Sequence, residues 1–118
     1  MSDDRPDELL LVESGELILV TADRATGLPQ ESRLRFVYAN GTVHLLARAA
    51  DAWYRNLEVD RGVVVRIKHR GFRGAARVPE PRQRAAIISR TSTLFRRKYG
   101  GRAEEDAALL PVTIDIQF

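Results

Sequence analysis

Two segments carry residue types that could do chemistry. Thr21–Pro29 (TADRATGLP) gathers the hydroxyls of Thr21 and Thr26, the Arg24 guanidinium and Gly27 in one short polar loop. Glycine lets a backbone approach an anion closely, and a guanidinium forks onto its oxygens, so this set suits a phosphate. The same composition also makes an ordinary solvated turn, and the loop alone leaves both readings open. Further along, Trp53 and Asn56 stand three residues apart in Asp51-Ala52-Trp53-Tyr54-Arg55-Asn56-Leu57, on one side of a short helix. The indole offers a flat apolar face that fits a ring system or a core equally well. Asn56 offers donors and an acceptor, although an asparagine on a helix is commonly a surface residue.

Composition removes several other chemistries. The chain has no cysteine, which excludes disulfides, thiolate metal ligands and a Cys nucleophile. Its two histidines are His44, in the middle of a strand pattern and read as structural, and His69, near a hairpin and read as exposed. No metal site is expected from them. No nucleophile stands in a pattern with a base that would support hydrolysis.

Charge is unevenly placed. The net value is only +3, yet 18 of the 19 Lys and Arg lie between Arg24 and Arg102 against five acids, a block charge of +13. Such a block attracts an anion, whether a phosphorylated cofactor or nucleic acid; a merely solvated face is the plainer alternative. A nucleic-acid role is disfavoured by the aromatics. Phe36, Tyr38, Trp53, Phe72 and Phe95 fall on faces predicted to be core, whereas single-strand binding needs exposed stacking platforms. The acidic start, Met1–Arg5, lacks the apolar run of a signal peptide, and no apolar run reaches the ~18 residues of a spanning helix. A cytoplasmic protein without a membrane contact is expected.

The elements that must position these residues follow from periodicity. At 118 residues and 44% hydrophobic content the chain fits one globular domain, with residues 1–14 as an N-terminal helix or arm and 15–118 as the body. Pro6–Ser14 reads as a helix with Leu9, Leu10 and Val12 on its apolar side and Asp7 and Glu8 at its positive dipole end. Strands are predicted over Glu16–Thr21, Ser32–Tyr38, Thr42–Arg48, Val63–Lys68, Phe72–Val78 and Pro111–Ile116. Asn40-Gly41 is a hairpin signal. Ala49–Asp60 reads as a helix with Ala50, Trp53 and Leu57 on one stripe. Pro81–Tyr99 is the longest helix, stopped by Gly100-Gly101 and followed by an acidic loop. Six strands in short antiparallel hairpins, with no Gly-rich strand-to-helix fingerprint, argue against a Rossmann sheet. Closure into a small barrel would remove the sheet edges.

The ordered set of motifs resembles the deazaflavin-dependent nitroreductase-like and pyridoxamine 5'-phosphate oxidase-like flavin-binding split-barrel family. Thr21, Arg24, Thr26, Gly27 and Pro29 match its first-strand motif, and Leu45-Leu46-Ala47-Arg48 its small-residue strand end. Trp53-Tyr54-Arg55-Asn56-Leu57 matches its W-x-x-N-L helix, and Lys98-Tyr99-Gly100 and Leu110-Pro111-Val112 match its close. The likeness runs from Leu17 to Ile116.

It implies a mainly β fold, a six-stranded antiparallel split β-barrel of the FMN-binding type with flanking helices. It also implies an oxidoreductase that moves hydride between a bound flavin-type cofactor, deazaflavin coenzyme F-420 or FMN, and a small organic acceptor. A homodimer is implied as well. Carried over residue by residue, Arg24, Thr26 and Gly27 would touch phosphate, and the backbone of Arg33 and Leu34 would lie beside the ring. Leu46, Ala47 and Arg48 would line the groove, and Trp53 and Asn56 would close it; Tyr99 is a candidate proton donor near the ring, with helix-end packing as the alternative. The chain departs from the pattern at Asp23 (Gly in the family), Ala25 (Lys), Gln30 (Arg) and Ser32-Arg33 (Pro). Two positive charges are lost and one negative charge is gained. Two alternatives stand beside this reading: a non-catalytic split-barrel carrier of flavin or haem, and a basic nucleic-acid-binding module.

Overall fold

The structure, a computed structural model, describes residues 5–100 and 109–117. The predicted acidic loop, with Gly101 and Arg102, and the first four residues of the arm lie outside the described residues. The chain runs α1 (Arg5–Glu13), β1 (Glu16–Ala22), β2 (Pro29–Arg35), β3 (Val37–Ala39), β4 (Thr42–Arg48), α2 (Ala52–Leu57), β5 (Gly62–Ile67), β6 (Arg70–Arg77), α3 (Pro81–Tyr99) and β7 (Leu109–Gln117). One antiparallel sheet takes the order β2-β1-β5-β6-β7-β4-β3. The architecture is mainly β with flanking helices, as the periodicity predicts, but with seven strands rather than six.

The extra strand comes from a break at Phe36. Ser32–Tyr38 reads as one strand in the alternation, yet Arg35 pairs with Glu16 of β1, and Val37 pairs with His44 of β4. Phe36 therefore links the two edges of the sheet. Laid flat, seven strands would put those edges roughly 29 Å apart, while the two-residue step from Arg35 to Val37 reaches about 7 Å. The sheet must curl until its edges meet, which makes the barrel. The break suits the local chemistry: the Phe36 ring is buried, and its backbone bonds to side chains of α3 instead of to a strand.

Alternation fills the barrel. Leu17 and Leu19 of β1, Val43, Leu45 and Ala47 of β4, Val63, Val65 and Ile67 of β5, Phe72 and Ala76 of β6, and Val112 and Ile114 of β7 form one buried cluster. Gly74 belongs to the same inward row. A Cβ there would stand 2.6 Å from Ile114 Cγ2 and 2.9 Å from the Asp115 carbonyl oxygen, so only glycine fits between β6 and β7. The Asn40-Gly41 hairpin forms with both residues at positive φ, as the pair predicts.

The helices differ from expectation in register and length. α1 buries Leu11, while Leu9 and Val12 are 56% and 52% exposed, so its apolar side is turned from the predicted one. Asp7 pairs with Arg70 and Glu8 accepts from the Tyr38 hydroxyl, which fixes that rotation. α2 is six residues long, not twelve. The Asp51 carboxylate turns back to accept the Arg48 amide at 2.8 Å, keeping Ala49 and Ala50 in a turn. The face that α2 buries is Trp53, Asn56 and Leu57, with Ala50 exposed. α3 lies outside the barrel against β3, β4 and β7, and ends at Gly100, whose φ of 77° and amide bond to the Arg96 carbonyl close the last turn.

Candidate active site

The end of β2, the end of β4 and the last turns of α3 enclose a cavity of about 380 Å³. Leu34, Leu46 and Phe95 give it an apolar wall, and Arg35, Arg48 and Arg96 bring three basic side chains to its lining. Each comes from a legible local rule. Leu34 is the last inward residue of β2. Leu46 and Arg48 point outward from β4, opposite Pro111 and Leu109 of β7. Ser92, Phe95, Arg96 and Tyr99 line the cavity from one helical stripe, spaced i, i+3, i+4, i+7. Among the described residues Asp51 adds one carboxylate to the three arginines, a lining with a surplus of positive charge.

At the inner end of the cavity the seam of the barrel is clamped. The Tyr99 hydroxyl accepts the Phe36 amide at 3.0 Å, and its hydrogen faces the carbonyls of Gly15 at 2.6 Å and Phe36 at 2.7 Å. Burial raises the Tyr99 pKa above its ordinary value, opposed by the Phe36 hydrogen bond and the nearby Arg35. The Arg35 guanidinium lies 5.2 Å from the centre of that ring. Lys98 donates to the Phe36 carbonyl at 3.0 Å with its ammonium 3.9 Å from the Phe36 ring centre, and burial lowers its pKa.

The residues expected to form one groove separate into three places. Leu34, Leu46, Arg48 and Tyr99 line the 380 Å³ cavity. Arg24, Thr26 and Gly27 lie in the loop at the far end of β2, a strand of seven residues and thus about 20 Å away along the sheet. Gly27 borders a different hollow, of about 440 Å³, with Thr21, Pro29 and Arg73. Ala47, Trp53 and Asn56 are interior. Ala47 faces the core, and Trp53, 4% exposed, packs into the same cluster beside Tyr54. Arg33 points outward from β2, 3.7 Å from Glu16.

Asn56 is 2% exposed and spends its amide on the chain itself. Its Nδ2 donates to Thr21 Oγ1 at 2.9 Å and Gln30 Oε1 at 2.6 Å, and its Oδ1 accepts the Arg24 amide at 3.0 Å. The loop it holds is self-satisfied. The Asp23 amide donates to the Leu28 carbonyl, Gly27 to the Asp23 carbonyl, and Leu28 to Thr26 Oγ1. Ala25 and Thr26 both donate their amides to Asp23 Oδ1. Every backbone N–H from Asp23 to Leu28 therefore has a partner.

The family resemblance singled out Leu46, Arg48 and Tyr99 but not Phe95 and Arg96, which the fold of α3 against the barrel end brings to the same cavity. The basic block is partly neutralised: Arg66 meets Glu31, Arg77 meets Asp115, and Arg82 meets Glu80. Phe36, Trp53 and Phe72 are buried, which removes them as stacking platforms for nucleic acid. Among the described residues, no helix is long and apolar enough to cross a membrane.

The model of the F420H2-dependent quinone reductase family matches residues 9–117. The chain belongs to that family. No protein of curated function matches it. Among solved structures it is similar to HutZ, the heme storage protein of Vibrio cholerae, at TM-score 0.77 and 17% identity, covering 99% of this chain and 92% of that one. It is similar to a Listeria innocua protein assigned as a pyridoxamine 5'-phosphate oxidase, at TM-score 0.77 and 12% identity, covering 98% and 94%. It is also similar to an F-420 reductase, at TM-score 0.70 and 17% identity, covering 94% and 93%. At these identities the likeness shows the split-barrel fold, and the family match carries the deazaflavin-dependent oxidoreductase class.

Proposed function

We propose that this member of the F420H2-dependent quinone reductase family binds deazaflavin coenzyme F-420 in the 380 Å³ cavity and reduces a quinone there. The observation that carries the reading is the pairing of an apolar wall (Leu34, Leu46, Phe95) with guanidiniums from Arg35, Arg48 and Arg96. The volume lies at the small end of the roughly 300–1,000 Å³ of cofactor pockets. It would admit a tricyclic ring, with basic side chains in the same lining for an anionic tail. The donor set fits the group.

When bound, the reduced deazaflavin supplies a hydride, and the quinone takes that hydride and one proton to become a hydroquinone. The protein's part is binding and orientation. Leu34, Leu46 and Phe95 would flank the ring and exclude water, and Arg35, Arg48 and Arg96 would hold the anionic tail. We read Tyr99 as a positioning residue, because its hydrogen is already directed at two backbone carbonyls and its raised pKa keeps the phenol protonated at neutral pH.

A homodimer also fits this reading. Ile18, Val20 and Val64 form a half-buried apolar patch on the outer face, Val20 paired to Val64, and a second copy would cover it. Light scattering tests that directly.

Titration with F-420, followed by fluorescence, tests the cofactor assignment. We expect saturable binding at micromolar concentration, weaker binding of FMN, and turnover of a quinone by the reduced complex. Absence of F-420 binding at tens of micromolar would end it.

A further inference from the structure

α3 walls a second hollow on its other flank. Ser92, Phe95, Arg96 and Tyr99 face the 380 Å³ cavity, whereas Ile87, Arg90, Leu94 and Arg97, spaced i, i+3, i+7 and i+10, follow a stripe on the opposite side of the helix. That stripe lines a hollow of about 560 Å³, faced from the sheet by His44 of β4 and by Thr113 of β7, its partner across the ladder. The two cavities share no lining residue.

Apolar and basic side chains alternate along the stripe. Arg90 and Arg97 stand two turns apart, about 10 Å along the helix axis, with Leu94 between them. Neither arginine is paired with a carboxylate among the described residues, and none of the described residues lining the hollow is acidic. His44 supplies a second, independent observation. Its Nδ1 is shut off from solvent and has no hydrogen-bond partner among the described residues. A buried polar atom left in this way is rare in a folded chain and calls for a partner. Burial, and after it the Arg90 charge, lower the His44 pKa, which places the Arg90 guanidinium close to the imidazole. A carboxylate seated between the two gives the guanidinium a counterion that it can fork onto and gives the imidazole a charged acceptor.

We propose that this hollow is a binding site for a small organic dicarboxylate, held with one carboxylate between Arg90 and His44, the other at Arg97 and an apolar spacer over Leu94. The site stands apart from the cofactor assignment, because its lining is separate.

Adipate, hexanoate and the diol of the same chain length carry two, one and no carboxylates on one spacer. Each is titrated into the intact protein at constant ionic strength, with backbone amide and imidazole resonances as the readout. Adipate shifts the His44 ring and the Arg90 and Arg97 amides saturably at millimolar concentration. Hexanoate does so at least about tenfold more weakly, the scale of one charge-assisted hydrogen bond. The diol leaves them unmoved. Arg90→Gln weakens both acids by at least about tenfold. Arg97→Gln brings adipate down to the level of hexanoate and leaves hexanoate as it was. Both side chains are exposed, so neither variant threatens the fold.

Equal shifts with all three compounds overturn the proposal, since an apolar hollow alone would give them. So do shifts at Tyr99 without any at His44, which would put the acid in the other cavity. Hexanoate bound as tightly as adipate, or adipate affinity unmoved in either variant, overturns it as well.

Discussion

The Tyr99 hydroxyl, at the last turn of α3, clasps both backbone polar groups of Phe36, the one residue between the two edges of the sheet. The clasp closes the barrel with a side chain where a strand ladder is missing. Tyr99→Phe keeps the ring beside Phe95 and deletes the clasp together with the bond to the Gly15 carbonyl. The Phe36 amide then loses its partner, while its carbonyl keeps Lys98. We expect a loss of about 1–3 kcal/mol in chemical denaturation, the cost of leaving a buried group unsatisfied. Faster amide exchange at Phe36, with the β4–β7 ladder still protected, separates seam opening from global unfolding.

Asn56 joins α2, β1, β2 and the loop through three hydrogen bonds. Asn56→Ala strands the Thr21 hydroxyl and the Arg24 amide together. The expected destabilisation is again about 1–3 kcal/mol. The local sign is exchange of the Arg24 amide rising ahead of the β1 core. A cofactor-contact role for Asn56 would instead leave stability intact and weaken F-420.

Much of this was legible in the chain and some was not, for identifiable reasons. Alternation in Phe72–Val78 gave the inward row of β6 correctly, because a half-buried strand repeats every two residues. The same rule ran straight through Phe36, since a strand that changes sheet edge keeps its alternation; nothing local marks that its partners change from β1 to β4. Arg48 and Leu46 were found from the strand-end motif. Phe95 and Arg96 needed the knowledge of which face of α3 meets the barrel end, a tertiary fact. Trp53 and Asn56 show the opposite limit: the motif marked both residues, while their burial is a tertiary fact that the motif does not state.

Gly74 marks the tightest approach in the barrel. In Gly74→Ala the new methyl meets both the Ile114 side chain and the backbone of Asp115. Overpacking of this kind costs about 1–3 kcal/mol. Trimming Ile114 to alanine in addition relieves only the side-chain contact, so the double variant should unfold more easily than either single one, as thermal melts would register.

His44 sets an acid limit on stability. Burial is the main cause lowering its pKa, reinforced by Arg90 and opposed by a hydrogen bond to the Ala39 backbone. The folded state thus disfavours the proton that the unfolded chain takes up near pH ~6.5. The stabilisation is complete above that pH and is lost as pH falls through the depressed folded value. Denaturation midpoints should decline below about pH 6.5. In His44→Gln, which cannot titrate, that part of the decline should vanish; an unchanged profile would assign it to other groups.

Leu45 and Leu46 are neighbours on opposite sides of β4, which lets one pair of variants separate fold from function. Leu45 is buried in the core, and Leu46 points outward into the 380 Å³ cavity. Leu45→Ala opens a void and should cost about 2–5 kcal/mol. Leu46→Trp puts an indole into the space assigned to the deazaflavin ring, where the wall is open enough to take it. Stability should stay within about 0.5 kcal/mol, while F-420 affinity falls at least tenfold, about 1.4 kcal/mol. If Leu46→Trp binds F-420 as the wild type does, the ring lies elsewhere, and the hollow beside Gly27 becomes the place to look.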